Sequence, residues 1–383
     1  MKHPALTTLL VALVTAGATA VPAASLLQGG QPRAPGSGTG AQAPAAASLD
    51  PSRAAPCGAE PVDADGWARL WGSASGAWAG GDGASSTRLP DGRLLWVFGD
   101  TFTGSVDPDG IRGPDAGMVR NSLVVTDGTC WTSAAAGETA LPGRDGTWLW
   151  PTHAVVVRDA DPAVVAVFAQ RLAPDRGDAL GFRRVGAAIV TLTVPAGGRP
   201  EVGAVRDLPP SDVLWGAAIA RSGGTVYLYG TRPRADAFGR DLLLARAPRA
   251  RVADVRSWTF RTAHGWSSRA QEAAVVLPTG VSTVLAARAS AEGMLLVTKP
   301  EEFLDEHVVA LTSDHPWGPW RARLLFTAPS DDDELAYAPG LVAVRPGRAD
   351  VVVVSRTSLS LDRLMRDASA SMPAFHDIGR PRP

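Results

Sequence analysis

Short apolar runs of strand length, separated by turn residues, recur along most of the chain. Leu94–Phe98, Leu123–Val125, Ala154–Val157, Val164–Phe168, Ala187–Thr193, Val226–Tyr229, Leu242–Ala245, Ala273–Leu277, Val281–Ala286, Met294–Val297, Val308–Leu311, Leu324–Thr327, Leu341–Val344 and Val351–Val354 all fit this description. Between them stand Pro90-Asp91-Gly92, Asp127-Gly128, Asp161-Pro162, Ser222-Gly223-Gly224 and Pro278-Thr279-Gly280. Alternating short runs and turn signals, with no sustained period of 3.6, predict an all-β protein. One helical turn is expected at Ser360–Arg366. The strand groups start near Gly81, Pro151, Trp215, Gln271 and Tyr337, at spacings of 70, 64, 56 and 66 residues. Each interval holds three or four strand-like runs. Radial repetition of four-stranded antiparallel sheets is a β-propeller, here with five blades. A β-sandwich would need fewer strands.

The N-terminus breaks this pattern. A basic start at Lys2 precedes an apolar stretch to about Val21 and small residues at Ala18, Ala20, Ala23 and Ala24, the layout of a signal peptide over residues 1–27. An uncleaved membrane anchor is the rival, weakened by Gly17 and Pro22. Residues 28–56 are Gly, Pro, Ala, Ser and Gln with few large side chains, and read as a linker before a 57–380 propeller domain. The protein is therefore expected to be secreted or held at the cell envelope, with membrane contact only through an uncleaved leader. Export makes a Cys57–Cys130 disulfide reasonable, two unpaired thiols being the alternative. A net charge of −1 argues against nucleic-acid partners, and 45% hydrophobic residues against disorder. A monomer is expected.

Propeller ligands usually bind where the inner strands open. The first hairpin places two acids there. Asp82 precedes the strand Ala84–Arg88, the turn is Leu89–Arg93, and Leu94–Phe98 leads back to Gly99-Asp100. Antiparallel pairing puts Asp82 opposite Asp100 to within a residue. Paired carboxylates separate their pKa values, the device by which glycosidases assign acid and base or nucleophile. The alternative role for each is capping a turn. Glu272, before Ala273–Leu277, is a candidate third acid or an ordinary edge residue. Arg120 and Asn121 are candidates to orient a carboxylate or ligand hydroxyl, and His153 to donate to a sugar or shuttle a proton. Trp150 and Trp215 could stack on sugars or fill space between blades, and Tyr337 is a further binding candidate. Trp supplies 12 of 24 aromatic residues, which fits a sugar ligand. Asp331–Glu334 reads as a solvated loop and Asp107-Pro108-Asp109-Gly110 lacks most calcium ligands. No P-loop, G-x-S-x-G or H-E-x-x-H occurs, so neither metal nor cofactor is expected.

The stretch GGDGASSTRLPDGRLLWVFGDTFTG at residues 80–104 resembles the opening blade of a family of secreted bacterial five-bladed propellers catalogued as domains of unknown function, some of whose relatives are endo-D-arabinanases. Arg120–Leu123, Leu149–Pro151, Leu214–Ala218, Val226–Arg232 and Ala245–Pro248 are similar in order. Ser313–Trp320 (SDHPWGPW) resembles a strand seen more widely in arabinanase and levansucrase relatives. The resemblance spans roughly Gly66 to Phe375. It implies a glycoside hydrolase-like protein acting on an arabinan-type polysaccharide or oligosaccharide. In the last blade Tyr337-Ala338-Pro339-Gly340-Leu341 stands where the family carries Tyr-x-Ala followed by His-Pro-Glu-Leu. Ser355–Ser360 and Ser371–Phe375 also depart from it. Those losses of polar groups motivate a second reading, a propeller that binds glycan without cleaving it.

Overall fold

The computed structural model describes residues 57–72, 78–133, 138–178, 181–345 and 347–379. The signal-peptide and linker readings lie outside them. Five antiparallel blade sheets follow one another along the described residues, and a two-stranded ribbon, Thr101–Thr103 with Gly117–Val119, is inserted within blade one. Blade one is Ser85–Arg88, Leu94–Phe98, Ser122–Asp127 and Cys130–Ser133. Blade two is Trp148–Arg158, Ala163–Pro174, Phe182–Val194 and Glu201–Asp207. Blade three begins Leu214–Ser222, Thr225–Arg232, Arg240–Pro248 and Thr259–Thr262, and adds Gly265–Ser267 and Val275–Val281. Blade four is Ala286–Ser290, Gly293–Thr298, His307–Ser313 and Arg321–Thr327. Blade five has three strands, Glu334–Leu341, Asp350–Ser358 and Ala374–Gly379. The first strand of each blade packs against the first strands of both neighbours, and blade five returns to blade one, so the inner strands close a ring. This is the five-bladed β-propeller that the repeat predicts.

The hydrophobic pattern explains the stacking. In Leu94–Phe98 every side chain is buried, because successive residues point to opposite faces and both faces are covered. Leu95 and Val97 join Leu149, Val156 and Val165 between blades one and two. Leu94, Trp96 and Phe98 join Val351, Val353 and Phe375 between blades one and five. Three further clusters fill the other junctions. The core is thus five sandwiched layers, and a middle strand reads as a continuous apolar run.

Ring closure combines side-chain packing with backbone hydrogen bonds such as that from the Gly81 N–H to the Ser371 carbonyl. The helix Ala64–Gly72, which the strand pattern does not announce, packs on the last strand of blade five. Trp67 lies between Trp96 and Phe375, with ring centroids 5.4 and 6.4 Å away. Trp71 and Trp78 continue this aromatic cluster. The Ala64 N–H donates to Asp377 Oδ1, and Arg88 spans the seam to Glu60 and the Ala343 carbonyl. The Cys57–Cys130 disulfide ties the entry of the domain to blade one, as expected. The expected helical turn forms as the helix Leu361–Arg366, with Ser360 as its N-cap.

The fourth repeat start is a correction. Gln271 lies in a 3-10 turn, Ala270–Glu272, and the following strand pairs with the third strand of blade three. The run Ala273–Leu277 had the length of an inner strand, but it edges an enlarged blade three. The inner strand of blade four is the less conspicuous Ala286–Ser290.

Candidate functional site

Three inner strands carry an irregularity near their start: between Pro151 and His153, between Trp215 and Ala218, and between Tyr337 and Gly340. Bulges re-aim side chains, and here they do so where the ring opens. In blade one the same height is occupied by Gly81-Asp82-Gly83, with Gly83 at φ 62°.

The hairpin pairs as its register requires. Ser85 faces Val97 and Arg88 faces Leu94. Beyond the strands, the Asp82 N–H donates to the Asp100 carbonyl and the Gly99 N–H to the Asp82 carbonyl, so Asp82 and Asp100 are neighbours. Each carboxyl has its own partner. The Tyr337 hydroxyl donates to Asp82 Oδ2 at 2.5 Å. Trp150 Nε1 donates to Asp100 Oδ1 at 2.9 Å, and the Arg120 guanidinium stands 3.8 Å from Asp100 Oδ2. Arg120 also lies over the Trp148 ring, 4.0 Å from its centroid. Blades one, two and five therefore converge on one carboxyl pair. A quarter of the Asp100 side-chain surface remains open to solvent.

The environment sets the charge states. Burial pushes Asp82 up to about 6, against the hydrogen bond from Tyr337 and the backbone bonds, which favour its charged form. Burial, followed by the charge of Asp82, pushes Asp100 up to about 7, while Arg120 and Trp150 act the other way. Burial and the adjoining Asp82 carboxylate raise the Tyr337 hydroxyl well above its ordinary value, so it stays a donor. The pair consequently retains a proton near neutral pH, which two exposed aspartates would have lost.

Further along the axis lies a cavity of about 130 Å³ lined by all five inner strands, including Ser85, His153, Ile219, Ala286 and Leu341. Its walls begin three residues past Asp82 and Trp150. His153 is 9% exposed, its Nδ1 has no partner among the described residues, and burial pushes it down to about 4. The imidazole is thus neutral at neutral pH. Unfolded, it would take a proton near 6.5, so its contribution is complete above that pH and lost as pH falls toward 4. The loss amounts to about 3 kcal/mol. Urea unfolding of the parent and His153→Gln at pH 7 and pH 4.5 should show the parent losing more stability between the two.

Several other sequence candidates have different roles. Glu272 lies away from the axis, hydrogen-bonded to Ser267 and ion-paired with Arg269, and these contacts lower its pKa. As the head of an inner strand Glu272 would face the channel, but the strand that follows it edges blade three, and Glu272 has no part in the pair. Trp215 is 6% exposed and packs edge-on against Phe260 between blades two and three, filling space. Asn121 is wholly buried; its amide donates to the Leu141 and Leu149 carbonyls and its oxygen accepts from the Leu141 N–H. It is a strut beneath the site. Asp331 accepts from the backbone N–H groups of Asp333 and Glu334, and Glu334 is clamped by Arg356 and Arg363. Among the described residues no three His, Cys, Asp or Glu side chains converge as a metal site.

Two residues of the mouth escaped sequence reasoning. Phe182 stands edge-on to Trp150, with ring centroids 4.7 Å apart. Trp148 supports Arg120 and is two residues from Trp150 on the same strand face. The alternation could have found Trp148, but nothing local marks Phe182, which arrives across the blade.

Comparison with solved structures gives the same architecture. A proposed hydrolase of Bacteroides ovatus superposes with a TM-score of 0.67 at 19% identity, over 81% of this chain and 87% of that one. An α-L-arabinanase of Cellvibrio cellulosa, solved with arabinohexaose, gives 0.41 at 14% identity, over 78% and 91%. An α-L-arabinofuranosidase of Podospora anserina, solved with cellotriose, gives 0.42 at 9% identity, over 73% and 84%. At such identities the first likeness is one of fold, and the two weaker superpositions add nothing to the assignment. No curated protein matches the sequence. The sequence pattern of the domain of unknown function DUF5005 matches residues 69–360, three quarters of the chain. The chain belongs to the DUF5005 family.

Proposed function

We propose that the protein is an exported glycoside hydrolase acting on an arabinan-type polysaccharide of the cell envelope or surroundings. The observation that carries this reading is the juxtaposition of Asp82 and Asp100 at the open end of the propeller, where burial raises both carboxyls. Asp100 is the proton donor: it is the more strongly raised of the two and it faces its partner's negative charge. Asp82 is the ionised member, because the Tyr337 hydroxyl and backbone N–H groups stabilise its anion. Asp100 would pass its proton to the glycosidic oxygen as the bond to the anomeric carbon breaks. Asp82 would attack that carbon or take a proton from the attacking water. Trp150, backed by Phe182, offers a ring beside Asp100 on which a sugar can lie, and Arg120 offers donors to hydroxyls.

One observation favours binding without cleavage, namely the missing His and Glu after Tyr337-Ala338 in blade five. A single screen separates the readings. Purified protein is incubated with mycobacterial arabinogalactan and with plant arabinan, and released oligosaccharides are measured together with retention of the polymer. Release that depends on Asp100 is the expected result. Retention without release, unchanged in Asp100→Asn, would replace the catalytic reading with the binding one.

A further inference from the structure

Lys299 stands out from the rest of the chain's cations. The sequence has 35 arginines and two lysines, and Lys299 is the one within the propeller. It is wholly buried. Its residue follows the second strand of blade four, and its ammonium donates to two backbone carbonyls, those of Ala328 and Ala336, each at 2.6 Å. Ala328 lies just past the last strand of blade four. Ala336 lies in the inner strand of blade five, one residue before Tyr337. One charge therefore staples the crossover between two blades to the peptide plane that leads into Tyr337. A compact ammonium suits a closed site with two converging carbonyls, where a planar guanidinium would need more room. The acidic groups nearest in charge are Asp305 and Glu302.

The strand needs such a hold. Directly after Tyr337 the chain leaves regular geometry: Ala338 has φ 46°, and the register with the next strand shifts between Tyr337 and Gly340. A non-glycine residue in the left-handed region costs about 1–3 kcal/mol and persists only where its surroundings enforce it. Downstream, Gly340 is again paired, with Val353. Upstream, Ala336 is held through its carbonyl by Lys299 and through its N–H by Ser330 Oγ at 3.0 Å. Opposite Tyr337, Ser355 Oγ accepts from the Gly83 N–H, next to Asp82. The seam that closes the ring thus grips Asp82 from blade five at two points.

We propose that Lys299 is a positioning residue for the carboxyl pair, acting through Ala336 to keep the Tyr337 hydroxyl on Asp82. The proposal depends on the hydrolase reading only for its effect on turnover. Its structural content is that Lys299 and Tyr337 act on Asp82 through one path.

The test is a double-mutant cycle read on Asp82 itself. Carboxyl ¹³C titrations are recorded for the parent, Lys299→Met, Tyr337→Phe and the double variant, with Asp82 assigned through Asp82→Asn. Tyr337→Phe removes a donor to the anion and should raise the Asp82 midpoint by about one pH unit. Lys299→Met should raise it in the same direction, and the double variant should match Tyr337→Phe. A direct effect of the lysine charge would persist without the phenol, so an additive double variant overturns the proposal, as does an unchanged midpoint in Lys299→Met. Should Lys299→Met fail to fold, Lys299→Gln, which keeps one donor, is judged by the same criteria. If the protein cleaves glycan, Lys299→Met should also shift the acid limb of the pH profile upward. If it cleaves none, the hydrolase reading fails while the titrations still decide the role of Lys299.

Discussion

Replacing Asp100 by Asn is expected to lower glycan cleavage by at least about 10³-fold while making the folded protein more stable at neutral pH. The first effect follows from removing the carboxyl proposed to protonate the leaving oxygen, since acid–base groups contribute about 10²–10⁴ in rate. The second follows from the raised pKa. An unfolded aspartate ionises near 3.8, whereas folded Asp100 keeps its proton to about 7. Between those values the folded state binds more protons, so stability falls as pH rises through the window. Above pH 7 the parent carries the full disadvantage, about 2–4 kcal/mol, which the neutral amide escapes. Thermal unfolding of parent and variant should therefore coincide near pH 4 and separate progressively to pH 8, with the variant higher. Asp82→Asn should behave alike with a smaller gain, because its carboxyl is raised less. A variant that is inactive and also less stable at pH 8 would mean that the carboxyl is a structural anchor.

Gly216→Ala should cost about 3–5 kcal/mol, among the largest single-methyl effects in the molecule. Gly216 occupies φ 86° at the bulge that opens blade three, and a Cβ there would stand 2.4 Å from the Phe168 ring. Phe168 is itself wholly buried between blades two and three, so neither side can yield. The backbone strain and the overlap add. Gly186→Ala is the control: a Cβ at Gly186 meets nothing within 4 Å, and its unfolding midpoint should stay within about 0.5 kcal/mol of the parent. If the two variants unfold alike, the packed junction between blades two and three has been misread.

The reach of the sequence can be judged at particular residues. Asp82 and Asp100 were legible because one short hairpin fixes both, and strand pairing is a local rule. Four of the five repeat starts were legible because a turn or a motif sits at the head of each inner strand. The fourth failed at Glu272 because an apolar run of strand length says nothing about which partner it will pair with; Val275–Val281 went to blade three. The abundance of tryptophan suggested sugar platforms, yet Trp67, Trp71, Trp78 and Trp96 are wholly buried in the closing seam. Residue type alone cannot tell a ring that stacks on ligand from one that stacks on its own chain. Asn121 was misread for a related reason, since its partners at Leu141 and Leu149 lie 20 and 28 residues away and across a loop. Lys299 and Phe182 act only through contacts made when separate strands or blades meet.

The ring sets Asp82 beside Asp100, which carries the expectation that the pair holds a proton near neutrality. Its most direct test is the carboxyl ¹³C titration of both residues in the parent and in Asp82→Asn. One midpoint close to 7 in the parent, falling once Asp82 is neutral, is the result predicted. Two independent midpoints near the ordinary 3.8, unmoved by the substitution, would contradict it.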